Sequence, residues 1–324
     1  MAGAGLLQLH WRPYRFALPQ PMVTSQGAWR ERRGWVLRLE APDGRLGWGE
    51  APQWRVGGEE LAQALAALPA ALARAALERQ LPLLPAALGF ALGSALAELD
   101  GLGDPARGGW RPAPPAALLL PAGDAVLPAL DQALTAAAGQ PLTFKWKVAA
   151  VADGLERQLL EQLLQRLPVA ARLRLDANGG WDHATAQAWA ERLAAEPRLE
   201  WLEQPLPADD LPGLRALAAR LPVALDESLQ RFPPEALADW PGWLVRRPAA
   251  EGDPRPLLAA LQAGRPRLML STAFETGIGR RLLEHLAALQ ADGPTPTAPG
   301  LAPGWRPPGE LFAADPQRVW EAVA

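Results

Sequence analysis

The chain has 324 residues, of which 49% are hydrophobic, and a net charge of −3. It is long enough for roughly two domains with a sizeable core, and its weak charge does not favour a nucleic acid or a membrane as partner. It has no cysteine, which excludes disulfides and thiolate metal sites. No leader-like pattern or span of ~18 apolar residues stands out, so we expect a cytoplasmic protein, and its oligomeric state is left open.

The first 108 residues have the pattern of a small α+β unit. Strand-like runs at 7–18, 34–40 and 47–50 predict an antiparallel sheet. Apolar residues at helical spacing between 59 and 100, broken by prolines, predict two or three helices packed on it. The proline-rich stretch 111–121 is interpreted as a linker to the next unit.

Beyond the linker, short apolar strands alternate with helices. This order predicts either an open doubly wound sheet or a closed (β/α)8 barrel. The glycines at 101 and 103 follow a helix and not a strand, so they indicate a helix stop more than a nucleotide loop. The predicted strands are 142–148, 171–176, 199–203, 223–226, 243–247 and 267–271.

Charged residues stand at the carboxyl ends of five successive predicted strands. In a closed barrel these ends open onto one mouth, where catalytic groups gather. The leucine before each acid is expected to face the outer helices, because strand side chains alternate between two faces. The charged residues are Lys147, Asp176, Glu203, Asp226 and Arg247, and the leucines are Leu175, Leu202 and Leu225.

Only two of the thirty-two basic side chains are lysines, Lys145 and Lys147. Arginine holds its proton in proteins, whereas a desolvated lysine can release one near neutral pH. The pair therefore indicates acid/base chemistry. On a strand both amines would point to one face and Trp146 to the other.

Three carboxylates at one mouth would repel one another unless a cation lay between them. An all-oxygen donor set favours magnesium over zinc, with Mn²⁺ as an alternative. The histidines, His10, His183 and His285, are scattered and share no ligand spacing. Asp182 is expected to cap the helix that follows it.

Four ordered motifs resemble the enolase superfamily: Lys145-Trp146-Lys147, Leu175-Asp176-Ala177-Asn178, Leu202-Glu203-Gln204-Pro205 and Leu225-Asp226-Glu227-Ser228. Within it, Gly47-Trp48-Gly49-Glu50 and the Lys-x-Lys pair most resemble the o-succinylbenzoate synthase family, near the muconate-lactonizing branch. The resemblance implies a modified TIM barrel at 109–300, an N-terminal α+β capping domain at 1–108, and a C-terminal segment, 301–324, that returns to it.

The same resemblance implies the roles of the mouth residues. Asp176, Glu203 and Asp226 would bind Mg²⁺, with Asn178 and Glu227 as nearby supports. Lys147 would be the base, and Lys145 the neighbour that lowers its pKa and stabilises charge. The reaction implied is a syn-dehydration, catalysed by a hydro-lyase, of 2-succinyl-6-hydroxy-2,4-cyclohexadiene-1-carboxylate to 2-succinylbenzoate in menaquinone or phylloquinone biosynthesis.

One position departs from the family pattern. Arg247 stands before Pro248 where the family has lysine. An arginine is a poor proton donor, so the change favours dehydration over the two-base chemistry of the alternative, an N-acylamino-acid racemase or dipeptide epimerase. Two further alternatives stay open: Arg247 as a merely tolerated replacement, and the chain as a non-catalytic relative.

Other mouth positions are candidates for substrate contact. The segment 19–27, with Ser25, matches the family's mobile cap loop, although a plain hairpin connection is the alternative. Ser271 and Thr272 after the seventh barrel strand offer hydroxyls for the succinyl carboxylate. Gly300 in the eighth unit is a further candidate for substrate contact.

Overall fold

An antiparallel sheet forms the first layer of the capping domain. The computed structural model describes residues 5–24, 27–53, 58–140 and 142–323. The sheet has the strand order β3-β2-β1-β4. Its strands are β1 Leu7–Thr24, β2 Gly27–Glu40, β3 Leu46–Pro52 and the short β4 Ala71–Leu72. The long β1–β2 hairpin carries most of the sheet, with a register shift between Ala17 and Met22.

Three helices cover this sheet, as its apolar spacing predicts: α1 Glu59–Ala66, α2 Arg74–Gln80 and α3 Ala86–Leu99. Helix α3 lies directly on β3. A Cβ at Gly47 would lie 2.0 Å from Ala95 O, and one at Gly49 would lie 2.0 Å from Ala91 O. The two glycines of the Gly-Trp-Gly-Glu motif are therefore the residues that allow this close approach.

The second unit is a parallel sheet of seven strands in the order β11-β10-β9-β8-β7-β6-β5. The strands are β5 Leu118–Leu120, β6 Thr143–Lys147, β7 Arg172–Asp176, β8 Leu199–Glu203, β9 Val223–Leu225, β10 Trp243–Arg246 and β11 Leu268–Leu270. Each is at most one residue shorter at either end than its predicted counterpart. The exception is β5, which lies inside the segment interpreted as a linker, so that part of the interpretation is wrong.

The sheet closes through an irregular eighth segment. Ser271 forms a parallel bridge with Gly300. On the other side, Ala117 N donates to Pro299 O at 3.0 Å. The closed (β/α)8-type arrangement is thus the one formed, and the open sheet is excluded.

The barrel helices pack on the outside, and the leucines before the acids lie in the large apolar cluster beneath them, as predicted. Asp182 accepts from Thr185 N and caps α6, also as predicted. The helices are α4 Val126–Ala137, α5 Asp153–Arg166, α6 His183–Leu193, α7 Leu211–Ala218, α8 Ser228–Arg231, α9 Arg255–Gln262 and α10 Gly277–Ala291.

The C-terminal residues pack on the capping sheet. Helix α11, Pro316–Ala322, buries Val319 and Trp320. These side chains share an apolar cluster with Val36 and Trp48 of the sheet. Across the ranges that the structure describes, no helix is both long and apolar enough to cross a bilayer.

Candidate active site

The predicted mouth residues meet at the carboxyl edge of the barrel sheet. Lys147, Asp176 and Glu203 are directly paired along three neighbouring strands, Lys147 with Asp176 and Asp176 with Glu203. Asp226 and Arg247 each follow the last residue of the next two strands. Parallel strands in register therefore place all five side chains on one rim.

Lys145 is a fixed cation between two carboxylates. Its Nζ lies 2.8 Å from Asp176 Oδ2 and 2.5 Å from Glu203 Oε1. Burial alone would lower the pKa of Lys145, but the attraction of Asp176 and Glu203 outweighs it and raises the pKa above its ordinary value. Sequence analysis singled out both lysines because a desolvated lysine can release a proton. This reason does not apply to Lys145, because its pKa is raised. It fits the part of a charged neighbour.

Lys147 ends the same strand two residues on, half-buried, on the face that Lys145 shares. Phe144 and Trp146 alternate with the lysines and are fully buried in the outer core. The strand period therefore sends both amines into the mouth. The connection after Lys147 is held by a residue that sequence analysis missed. Glu156 is buried, and its carboxylate accepts from three successive backbone N–H groups, those of 149, 150 and 151, at 2.9, 2.9 and 3.1 Å.

Arg247 grips Asp226 with two nitrogens. Its Nε lies 2.9 Å from Asp226 Oδ1 and its Nη2 lies 2.5 Å from Oδ2. Burial alone would raise the pKa of Asp226, but the guanidinium outweighs it and holds the pKa below its usual range. The third nitrogen, Nη1, donates to Thr272 O at 2.9 Å. Arg247 is thus a charged group with a fixed orientation.

Asn178 and Glu227 lie together beside the acids. Asn178 Nδ2 donates to Glu227 Oε1 at 3.2 Å. Their other oxygens, Asn178 Oδ1 and Glu227 Oε2, are buried without a hydrogen-bond partner. Burial, with Asp226 and Asp176 nearby, raises the pKa of Glu227 to about 7. Unsatisfied buried oxygens beside several carboxylates are a site that still attracts a cation.

The donor chemistry of the mouth fits a hard divalent ion, since the buried donors are oxygens. In the part of the chain that the structure describes, no three His, Cys, Asp or Glu side chains gather closely enough to hold a metal by themselves. The reason is visible in the contacts: Lys145 lies between Asp176 and Glu203, and Arg247 covers both oxygens of Asp226. Metal ligation by these three carboxylates therefore stays a prediction.

Gln204 is a second residue whose role sequence analysis missed, although it lies in the Leu202-Glu203-Gln204-Pro205 motif. Its Oε1 accepts from the backbone N–H groups of Asp226 and Ser228, both at 3.1 Å. Its Nε2 donates to Leu206 O and Ser228 Oγ. The fully buried amide thus fixes the backbone that carries Asp226. The position directly after a strand-end acid was the available signal.

The candidate substrate contacts differ in how committed their polar groups are. The Thr272 hydroxyl donates to Glu275 Oε2 at 2.6 Å, and Gly300 N donates to Leu270 O at 2.8 Å. Among the residues that the structure describes, the Ser271 hydroxyl has one hydrogen-bond contact, a long one of 3.4 Å with Gly300 O. Ser271 therefore has the most available donor of the three. Ser25 lies outside the described residues, as does Gln26 of the predicted cap loop, whose flanks belong to β1 and β2.

A capped barrel with a lysine pair and acids on successive strand ends defines an enolase-type protein. The family model described as "Enolase C-terminal domain-like" matches residues 129–236. The solved o-succinylbenzoate synthase of Thermosynechococcus elongatus, with magnesium in its active site, superposes with a TM-score of 0.80 at 35% identity, covering 98% of this chain and 100% of that one. An L-Ala-D/L-Glu epimerase from Bacillus subtilis, at 22% identity and a TM-score of 0.72, covers 94% of this chain and 92% of that one and shares the fold.

Curated relatives agree over most of the chain. An o-succinylbenzoate synthase from Thermosynechococcus vestitus is 36% identical over 293 residues, 86% of this chain and 88% of the relative. One from an Enterobacter species is 34% identical over 304 residues, 89% of this chain and 88% of the relative. The chain belongs to the o-succinylbenzoate synthase family of the enolase superfamily.

Proposed function

We propose that this protein is a magnesium-dependent o-succinylbenzoate synthase, which dehydrates 2-succinyl-6-hydroxy-2,4-cyclohexadiene-1-carboxylate to 2-succinylbenzoate in menaquinone or phylloquinone biosynthesis. The observation that carries the proposal is the meeting of the lysine pair with Asp176, Glu203 and Asp226 on one rim, in a chain of this family. A cytoplasmic location and the small carboxylate substrate belong to the same proposal.

Magnesium would be held by the carboxylates of Asp176, Glu203 and Asp226, with the unpartnered oxygens of Asn178 and Glu227 beside them. When bound, the ion would polarise the substrate carboxylate as a Lewis acid and stabilise negative charge that develops on it. Lys145 and Arg247, which now neutralise these acids, would have to share or release them. Gln204 keeps the backbone of Asp226 in place throughout.

Lys147 is the proton carrier of the proposed reaction. Its amine takes the proton from the carbon next to the substrate carboxylate, and the electrons of that C–H bond shift towards the carboxylate. The resulting ammonium then returns the proton to the departing hydroxyl as the C–O bond breaks. Water leaves and the ring becomes aromatic, so atoms and charges balance with one lysine on one face.

Lys145 and Arg247 act as fixed cations around this transfer. Their pKa values are raised because the attraction of the carboxylates outweighs the opposing effect of burial. As charged groups in fixed positions, they stabilise the extra negative charge of the intermediate. Lys147 ends β6, and Arg247 follows β10, four strands further along the sheet. The two residues therefore lie on opposite sides of the eight-segment barrel. A racemase needs a proton donor at that far position, and an arginine is unsuited to it.

Ser271 is the candidate hydrogen-bond donor to the succinyl tail of the substrate. The Ser271 hydroxyl is the least committed polar group after β11, and we assign it to the succinyl carboxylate. Thr272 contributes through its carbonyl, which holds Arg247. Gly300 supplies a position without a side chain, and Ser25 is retained as a contact from the capping domain.

The decisive test is the loss of the diene's ultraviolet absorbance, followed with and without chelator. Lys147→Ala should abolish turnover and leave the far-ultraviolet circular dichroism unchanged. Lys147→Arg is the matched control: it keeps the charge but cannot release a proton, so it should also be inactive. Turnover in either variant refutes the assigned base. Turnover unaffected by chelator refutes the magnesium requirement.

The alternative reactions have their own readouts. Deuterium incorporation at an α-carbon of N-acylamino acids or dipeptides in heavy water would support a racemase or epimerase. Thermal stabilisation by magnesium without turnover on any acid would support a non-catalytic relative. Arg247→Lys with unchanged kcat would show that the arginine is merely tolerated.

A further inference from the structure

Two buried polar residues of the capping domain reach the loop that carries Arg247's carbonyl partner. This loop, residues 271–276, connects β11 to α10. Arg32 comes from β2 and Glu50 from β3. Both are fully buried, with 0% exposure. Burial of a charged group far from water is costly unless its partners are well placed.

The Arg32 side chain binds a backbone carbonyl of the loop. Its Nη2 donates to Ala273 O at 2.7 Å, and its Nη1 donates to Gln53 O at 2.7 Å. Ala273 is the residue after Thr272, whose carbonyl accepts from Arg247. Two arginines from two domains thus hold successive carbonyls of one loop.

Glu50 holds the other end of the loop. Its carboxylate accepts from Thr276 N, Thr276 Oγ1 and Gly279 N, at 2.8, 2.6 and 3.0 Å. Tyr14 donates to the same carboxylate at 2.6 Å. A Cβ at Gly279 would lie 2.8 Å from Glu50 Oε2, so the helix start is shaped to receive this carboxylate. The capping sheet therefore satisfies the first N–H groups of α10.

The loop itself is held in a strained form. Phe274 has a φ of +64°, in the left-handed region that non-glycine residues seldom adopt. Glu275 closes the turn by accepting from Ala273 N and the Thr272 hydroxyl. A strained loop persists where its surroundings determine it, and these surroundings include both domains.

We propose that Arg32 and Glu50 are positioning residues. Through them the capping domain holds the 271–276 loop, and Thr272 O of this loop fixes the orientation of Arg247 at the barrel mouth. The inference rests on the proposed function in giving Arg247 a charge-stabilising part. Arg32 and Glu50 hydrogen-bond to the 271–276 loop and to the start of α10, and this loop in turn holds Arg247 through Thr272 O. Their effect on turnover passes through the loop.

The test is a double-mutant cycle. Arg32→Met should lower kcat ~10-fold and change KM less than ~3-fold, because the loss is of orientation and not of binding. Arg247→Lys keeps a cation but loses the fork that joins Asp226 to Thr272 O, so in that background Arg32→Met should change kcat by less than ~3-fold. Arg32→Lys should restore part of the loss. Equal fold-losses in both backgrounds would overturn the proposal.

The matched control is Glu98→Gln. Glu98 of α3 pairs with Arg281 of α10, another buried contact from cap to barrel that does not touch 271–276. It should lower the Tm but leave kcat unchanged. A fall in kcat that simply follows the Tm across Arg32→Met, Glu50→Gln and Glu98→Gln would also overturn the positioning role.

A second readout does not depend on activity. Arg32→Met and the milder Glu50→Gln should speed amide hydrogen exchange in 271–276 and also in 244–251, the segment that carries Arg247. Glu98→Gln should speed neither. A wild type without dehydration refutes the proposed function, while exchange confined to 271–276 refutes the positioning of Arg247, so the two failures are distinguishable.

Discussion

The mouth and the lower lumen of the barrel each contain an arginine–carboxylate pair, and the two pairs differ in their surroundings. At the mouth Arg247 pairs with Asp226, and its side chain keeps 19% exposure. Below it Arg174 pairs with Glu200 at 2.7 Å, and its side chain has none. Arg174 also donates to Thr297 Oγ1 and Ala298 O, on the irregular eighth segment.

The lower pair serves barrel closure. The Trp201 ring covers the Arg174 guanidinium at 4.0 Å and packs against Trp243. The mouth pair instead adjoins buried oxygens that lack partners, those of Asn178 and Glu227. A buried ion pair in this lumen is thus structural where it joins neighbouring segments of the barrel, and convertible where acceptor oxygens beside it lack partners.

The largest expected stability effect tests the lower pair. Arg174→Met should lower the free energy of unfolding by about 3–5 kcal/mol, because it removes the charged partner of the half-buried Glu200 and the hydrogen bonds that Arg174 donates to the eighth segment. Urea denaturation measures it. Added Mg²⁺ should not restore the loss, since the carboxylate lies below the mouth. A change under about 1 kcal/mol would mean that the pair does not close the barrel.

Arg247→Met is the matched variant at the mouth and should behave differently. Without metal it leaves Asp226 uncompensated and lowers the Tm by several degrees. Saturating Mg²⁺ should restore most of that Tm, because a divalent ion can replace the lost charge on the acids. Thermal scans with Mg²⁺ and with chelator give the comparison. Equal losses under both conditions would make the two pairs alike and remove the distinction.

The contrast between the two pairs also marks what the sequence could predict. The strand-end acids and lysines were predictable because a period of two residues and a run of parallel strands put them on one rim. The Arg174–Glu200 pair was not, because a register shift after Leu173 pairs Arg174 with Trp201 and breaks the simple alternation.

Long-range partners were equally hidden. Glu50 stood in a recognised motif, but the N–H groups that donate to it lie 226 and 229 residues away, in Thr276 and Gly279. Strand β5 was masked by prolines in its flanks, and only pairing with β6 identifies it. Glu156 binds backbone groups, which leave no pattern in side-chain chemistry. Gln204 also binds backbone groups, and only its position after a strand-end acid marked it.

A buried acid away from the mouth should make the stability of the protein depend on pH. Burial raises the pKa of Glu98 from 4.5 to about 7, although Arg281 opposes the rise. Between these values the folded state holds a proton that the unfolded state has lost, so stability falls as pH rises from 4.5 to about 7. The full span corresponds to about 3 kcal/mol. The free energy of unfolding, measured by chemical denaturation at several pH values in this range, should change less with pH in Glu98→Gln than in the wild type.

Glu161→Gln is the control for that slope. Glu161 pairs with Arg192 on the outer surface, and the hydrogen bond from Arg192 lowers its pKa. Its titration lies below the window, so the slope between pH 5 and 7 should match the wild type. Glu98→Gln with an unchanged slope would place the titrating acid elsewhere, at the mouth.

The smallest expected effect separates two acids on one connection. Asp176 ends β7 at the mouth, whereas Asp182, six residues on, accepts from Thr185 N and caps α6. Asp182→Ala should lower the Tm only slightly, because it removes one N-cap hydrogen bond at the exposed start of α6. The Mg²⁺-induced rise in Tm should stay as in the wild type, because this carboxylate turns to its own helix. Asp176→Asn should remove that rise. If Asp182→Ala removed it as well, the division of this connection into a mouth acid and a capping acid would fail.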